Sequence, residues 1–173
     1  MSKVYIGLGS NKGERKEFLQ HALTEIENNS GLSILDISSI YETKPYGVTE
    51  QPNYLNAVLL IETEYSLLEI YHKVKKIEKI VGRIESKRWG PREIDLDIIL
   101  YDSMIYRDEL IEIPHKEYSK RDFVLVPLLE ISPDIIDPIT NESVKIFLEK
   151  LDQEFIIDKM ENNFKERIGE EIA

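Results

Sequence analysis

The apolar residues of this chain change their spacing in a fixed order, and that order leaves few folds open. From Lys3 to Leu8 they alternate, with Val4, Ile6 and Leu8 on one side and Tyr5 and Gly7 on the other, as in a strand with one buried face. Ser10 and Asn11 are good helix caps. Phe18, Leu19, Ala22, Leu23 and Ile26 then recur at helical spacing, which predicts a helix to about Asn29 with Gly31 as its stop. Leu32 to Thr43 reads as a second strand and Tyr54 to Thr63 as a third, separated by a loop over 44–53 that carries Pro45, Gly47 and Pro52. Ser66 and Glu69 form a capping box that opens a second helix, and Gly82 closes it. A polar loop over 82–92, broken at Gly90-Pro91, leads into a fourth strand from Glu93 to Tyr101. Strand, helix, strand, strand, helix, strand is the ferredoxin-like βαββαβ plan of the α+β class. It predicts an antiparallel sheet with helices packed on one face and the active site on the other side with its loops.

Past the fourth strand the pattern is weaker. A short extended piece is expected at Leu110 to Pro114, an apolar segment at Phe123 to Ile131 interrupted by Pro127, and a helix near Ser143 to Leu151. The length of 173 residues suits one domain, expected over residues 1–160, with an acidic tail over 161–173 that is helical or frayed. Absence of cysteine excludes disulfides, thiolate metal sites and cysteine nucleophiles, and points to a cytoplasmic address. The amino terminus has no apolar stretch of the secretory kind, and no apolar run approaches a membrane span. The formal charge of −11 argues against nucleic acid or an anionic membrane as partner.

Charge is unevenly placed. Five of the seven arginines, Arg83, Arg88, Arg92, Arg107 and Arg121, fall between positions 83 and 121. An acidic protein with a local cationic knot suggests a small polyanionic ligand; chance clustering and pairing with nearby acids is an equally good reading of that feature alone.

Three breaks in the pattern are more specific. On the second helix, Leu67, Tyr71, Val74 and Val81 define an apolar stripe, and Glu78 falls near its centre, where a carboxylate is costly without a partner. On the third strand, Tyr54 and Asn56 share a face, an aromatic and an amide that can stack on and hydrogen-bond a flat heterocycle. On the fourth, Asp95 and Asp97 point the same way, their Cα atoms about 6.5–7 Å apart. Aspartate is a poor strand former, and two carboxylates at that spacing can bridge hard cations. Each break has a plainer reading: a helix-end glutamate that bends out to water or pairs with an arginine, a solvated sheet face, a wet edge strand. Directly after an arginine-rich loop, the two aspartates gain weight, because cations, arginines and carboxylates together are what a polyphosphate requires. Gly7-Leu-Gly9-Ser-Asn-Lys-Gly13 is neither a dinucleotide fingerprint nor a P-loop and reads mainly as tight strand-to-helix packing. His115, after Pro114, and Trp89, in the least core-like loop, complete the candidates.

The runs YIGLGSN (5–11), QPNYLNAV (51–58), RWGPREIDLDIILYD (88–102) and IPHKEYSKRDFVLVPLLEI (113–131) closely resemble the 6-hydroxymethyl-7,8-dihydropterin pyrophosphokinases of folate biosynthesis. The resemblance implies magnesium-dependent transfer of pyrophosphate from ATP to the pterin hydroxymethyl group, with release of AMP. By similarity, Asp95 and Asp97 hold two Mg2+ ions. Arg83 and Arg92 take the catalytic positions. Arg83, Arg88, Trp89, Arg92, Ile98, His115, Lys116 and Arg121 meet ATP. Tyr54 and Phe123 sandwich the pterin ring, Asn56 and Glu78 read its edge, and Thr43, Pro45, Tyr46, Gly47, Trp89 and Asp95 complete its surroundings. The partners implied are these two small molecules, with a monomer expected and a weak dimer as the alternative. Loops 44–53 and 82–92 are expected to act as lids. Glu85 stands where the family often has arginine, and Lys116 where it often has tyrosine or proline. Two rival classes share parts of the pattern. A two-metal nucleotidyltransferase or cyclase needs the aspartates but not the ring pocket. An RNA-recognition or regulatory module needs no turnover, and its RNA form needs an aromatic motif and a positive surface that this chain lacks.

Overall fold

A computed structural model describes residues 1–160 and Phe164. The elements in chain order are β1 Ser2–Ser10, α1 Arg15–Glu27, β2 Leu32–Ile37, β3 Ile40–Thr43, β4 Tyr54–Thr63, α2 Leu67–Val81, β5 Asp95–Tyr101, β6 Tyr106–Arg107, β7 Glu112–Ile113, α3 Asp122–Ile131, α4 Lys145–Glu149 and β8 Ile156–Met160. The main sheet runs β5-β1-β4-β3-β8, with β2 also on β4, and its pairings are antiparallel. That is the ferredoxin-like order, with β2 and β3 together acting as its second strand.

The two long helices form where local chemistry favours them. Ser66 and Glu69 close a reciprocal capping box at the start of α2. Gly82 ends it with φ 121°, a conformation that any Cβ would strain. Helix α1 starts later than Ser10 and Asn11 suggested. Ser10 finishes β1, and no side chain caps the helix at Glu14. The helix stops at Glu27, ahead of Gly31.

The single strand expected over Leu32 to Thr43 is two strands. At the break, Ser38 Oγ accepts the Val58 amide, and Glu130 accepts from Ser39 N, Ser39 Oγ and Tyr41 Oη. Serine hydroxyls and a distant carboxylate have taken over groups that an unbroken ladder would use. The apolar segment containing Pro127 is the helix α3. Burial of Phe123, Val124, Leu125 and Leu128 offsets the backbone bond that proline cannot make. Strand β8 had no counterpart in the sequence pattern.

Two apolar cores sandwich the sheet. Leu55, Leu59 and Ile61 of β4 pack with the buried residues of α1 and α2, whereas Val58 and Ile99 pack with α3. The second face is therefore half covered by α3 and α4, and the uncovered half remains available to a ligand. Of the expected tail over 161–173, only Phe164 lies among the described residues. It is 5% exposed and belongs to the α1/α2 core.

Candidate active site

The uncovered half of the second face holds a cleft of about 570 Å³. Its floor is three strands wide. In the antiparallel register Gly9 of β1 lies between Asn56 of β4 and Asp95 of β5; in the next row Gly7 lies between Val58 and Asp97. The central strand thus contributes no side chains between the ring-binding candidates and the carboxylates. A Cβ at Gly9 would stand 2.7 Å from Asn56 Oδ1 and 3.5 Å from Tyr54 Cδ1. These glycines clear the floor of the cleft; strand-to-helix packing is not their main role. Asn56 Nδ2 donates to Thr43 Oγ1 at 2.8 Å, which fixes the amide while its oxygen side meets Gly9.

One wall is aromatic. Phe123 packs edge-on against Tyr46 (6.1 Å between centroids) and Phe155 (5.9 Å), so one side of its ring is braced by the core. The Arg121 guanidinium lies 4.7 Å from the Tyr46 centroid and 5.7 Å from that of Phe123, and its Nε is buried without a partner. Tyr54, His115 and Lys116 also line the cleft. Burial, then the charges of Asp95 and Asp97, push the Tyr54 hydroxyl up to about 12, so it stays a neutral donor. Burial lowers His115, whose Nδ1 accepts the Glu117 amide at 3.2 Å.

The opposite side is ionic. Arg83 Nη1 donates to Glu78 Oε2 at 2.6 Å and stands 3.0 Å from Asp95 Oδ1, which Arg92 Nη1 approaches to 3.3 Å. Burial, reinforced by Asp97, raises the Asp95 carboxyl to about 7 against the pull of Arg83. Glu78 is 3% exposed and does not line the cleft. Besides Arg83 it binds Lys75 Nζ (3.1 Å) and the Leu96 amide (2.8 Å). The carboxylate on the apolar stripe is therefore satisfied by two cations and by the outer edge of β5. Lys75 also reaches Leu96 O at 3.4 Å.

The flanking loops are tied together. Asn11 Nδ2 donates to Gln51 Oε1 and Pro52 O, Asn11 Oδ1 accepts the Arg92 amide, and Gln51 Nε2 approaches Trp89 O at 3.3 Å. Asn11, expected as a helix cap, is instead the knot between loops 44–53 and 82–92. Trp89 lines the cleft from the second loop with φ 68°.

A second cavity of about 410 Å³ adjoins the first and shares Lys75, Asp97, His115 and Lys116 with it. Its own lining includes Tyr71, Val74, Ile98 and Leu110. Of the residues singled out from sequence, the first cleft gathers Thr43, Tyr46, Tyr54, Asn56, Trp89 and Arg92, then Asp95, Asp97, His115, Lys116, Arg121 and Phe123. Ile98 belongs to the second cavity, and Arg83 reaches the site through Asp95. Pro45, Gly47 and Arg88 line neither cavity, although Arg88 sits 5.6 Å from the Trp89 ring centroid. Lys75, Gly7, Gly9 and Asn11 were missed. The signal for Lys75 was present: it precedes Glu78 by three residues on one helix and so shares its face.

A family model described as 7,8-dihydro-6-hydroxymethylpterin-pyrophosphokinase (HPPK) matches residues 5–133. The 2-amino-4-hydroxy-6-hydroxymethyldihydropteridine pyrophosphokinase of Aquifex aeolicus is 46% identical over 147 residues, 85% of this chain and 91% of that protein. The protein of the same description from Haemophilus influenzae is 43% identical over 150 residues, covering 85% and 94%. The folic acid synthesis protein fol1 of Schizosaccharomyces pombe is 41% identical, over 86% of this chain but only 20% of its own length. Among solved structures, Plasmodium falciparum HPPK-DHPS aligns with TM-score 0.66 over 87% of this chain and 43% of its own, at 13% identity, a likeness of fold alone.

Proposed function

The chain belongs to the 7,8-dihydro-6-hydroxymethylpterin-pyrophosphokinase family, and on that premise we propose how its cleft divides the work of the reaction. The reaction is transfer of pyrophosphate from ATP to the hydroxymethyl group of 6-hydroxymethyl-7,8-dihydropterin in folate biosynthesis, releasing AMP. The pterin occupies the first cavity between Tyr54 and Phe123. Asn56, held by Thr43, reads its edge; Tyr46, Trp89 and Asp95 surround it, with Pro45 and Gly47 shaping the loop above. The nucleoside occupies the second cavity against Ile98. The phosphates cross between the two, met by Arg92, His115, Lys116 and Arg121, with Arg83 and Arg88 behind them. The observation that carries this reading is the glycine-cleared row Asn56–Gly9–Asp95, which sets a heterocycle site and a carboxylate pair on one floor.

The donor set suits magnesium. Asp95 and Asp97 offer hard oxygen ligands on one face of β5, and no described cluster of three or more His, Cys, Asp or Glu could hold a metal by itself. Two carboxylates leave positions for water and phosphate oxygens, as Mg2+ requires. When bound there, two magnesium ions would neutralise the polyphosphate and polarise it for attack. The chain's own residues align and hold. The hydroxymethyl oxygen attacks the β-phosphorus in line and gives up its proton to solvent, and the bond from the β-phosphorus to the bridging oxygen breaks, that oxygen leaving on the α-phosphate of AMP. Alignment of two substrates supplies about 7–11 kcal/mol. An arginine such as Arg92, aimed at developing charge, supplies about 3–4 kcal/mol. Glu78, with its carboxylate occupied, holds Arg83 in place and does not meet the ring directly. We take residues 1–160, with Phe164 packed into their core, as the catalytic domain, acting as a cytoplasmic monomer. The absence of cysteine suits a reducing compartment, and among the described residues no helix is long and apolar enough to cross a membrane.

The test is AMP formation from ATP and 6-hydroxymethyl-7,8-dihydropterin, with and without magnesium, beside Asp97→Ala. Magnesium-dependent AMP that disappears in the variant is the expected result. ADP in place of AMP would make the chain an ordinary kinase, and activity retained by Asp97→Ala would remove the metal assignment.

A further inference from the structure

Lys75 is the cation that neither the sequence pattern nor the family resemblance brought to the site. Its place is unusual: apart from Asp97, His115 and Lys116, it is the only one of the described residues on the lining of both cavities. Its helix neighbours Tyr71 and Val74 line the second cavity alone, so Lys75 enters the neck from that side. Its side chain is 33% exposed. An ammonium has three N–H donors; Glu78 Oε1 and Leu96 O account for two, which leaves one for the neck. Burial works against its charge, but Glu78, Asp97 and Asp95 more than compensate and keep it a cation. Three carboxylates, Glu78, Asp95 and Asp97, thus face three cations, Lys75, Arg83 and Arg92.

We propose that Lys75 is a further catalytic residue that donates to the α-phosphate, the group that leaves with the nucleoside as AMP. The proposal rests on the reading of the two cavities given above. The bond that breaks must lie at the neck between a pterin in one cavity and a nucleoside in the other. The phosphate nearest the second cavity is the one that stays with the nucleoside, and Lys75 approaches from there. As the bond to the α-phosphate oxygen breaks, charge grows on that oxygen, and a positioned ammonium favours it. In the plainer alternative, Lys75 only holds Glu78 and the edge of β5.

The two differ in how binding depends on the phosphate. Titration calorimetry of AMP and of adenosine, without magnesium, gives the affinity that the phosphate adds. In Lys75→Gln, which keeps an N–H donor on the same helix face but loses the charge, that advantage should shrink about tenfold with adenosine affinity unchanged. Lys75→Arg should retain most of it, and kcat should fall in Lys75→Gln while KM for the pterin holds. An unchanged AMP-to-adenosine ratio in folded Lys75→Gln overturns the proposal, as does a parallel loss of both affinities. Should Lys75→Gln fail to fold, Lys75→Gln combined with Glu78→Gln, which leaves no buried carboxylate short of a cation, carries the same comparison. Should the wild-type chain bind neither AMP nor magnesium–ATP, the two-cavity reading itself fails, and the proposal with it.

Discussion

Gly9 shows how much a single missing side chain decides. Its Cβ position is 2.7 Å from Asn56 Oδ1, closer than real Cβ atoms come, and Asn56 is tethered to Thr43. Gly9→Ala must therefore push the amide out of register. It should weaken pterin binding by about tenfold or more, lower stability by about 1–3 kcal/mol through overpacking, and leave nucleotide affinity nearly intact. Fluorescence titration of a pterin analogue beside calorimetry of ATP checks this, and an equal loss of both ligands would contradict it. His115 gives a pH signature. Burial holds its pKa below the ordinary 6.5, so the unfolded chain takes up a proton first as pH falls. The contribution of neutral His115 is thus complete above pH 6.5 and lost below it. Denaturation midpoints of the wild type and His115→Gln should converge as pH drops from 7.5 to 5.5, and the His115 ring signals should titrate below 6.5.

At the scale of elements, what could be read from sequence follows how local its cause is. Strand β4 has the bounds that its alternation gave, and α2 opens on its capping box and ends at Gly82, because strand period, cap and stop all lie within a few residues. The break between β2 and β3 was illegible because its cause, Glu130, lies about ninety residues further along the chain. Strand β8 was illegible for a similar reason: Asp122 Oδ2 accepts the amides of Phe155 and Ile156, and β3 supplies the partner ladder. The site divides in the same way. Asp95 and Asp97 stood out by alternation, whereas the partners of Glu78 and the knot at Asn11 arise only on folding. Asn11 is buried, and its side chain bonds three separate backbone or side-chain groups in the two loops. Asn11→Ala should speed proteolytic cleavage within 44–53 and 82–92 several-fold and leave the sheet uncut. ATP plus a pterin analogue should slow cleavage of those loops in the wild type. Cleavage elsewhere, or loops that stay resistant, would show that Asn11 does not couple them.

At the scale of the whole molecule, the sheet is held between two cores, and the site occupies the part of one face that α3 and α4 leave bare. Phe164 joins the α1/α2 core from outside the βαββαβ plan. Phe164→Ala should cost about 3 kcal/mol or more and lower Tm by roughly 6–12 °C, with pterin and nucleotide affinities unchanged, since the site lies on the other face. Thermal denaturation of the full chain measures it; an unaltered Tm would mean that the ring is not seated in the core. The ionic cluster has a further consequence, outside catalysis. Leu96 N and O lie on the outer side of β5, the terminal strand of its sheet, and Glu78 and Lys75 bond both. Just beyond, the His115 amide donates to Ile99 O. At these positions the edge of the sheet is paired from within the chain and does not present bare backbone groups. The same side chains that prepare the site therefore also cap the outer backbone of β5 at Leu96.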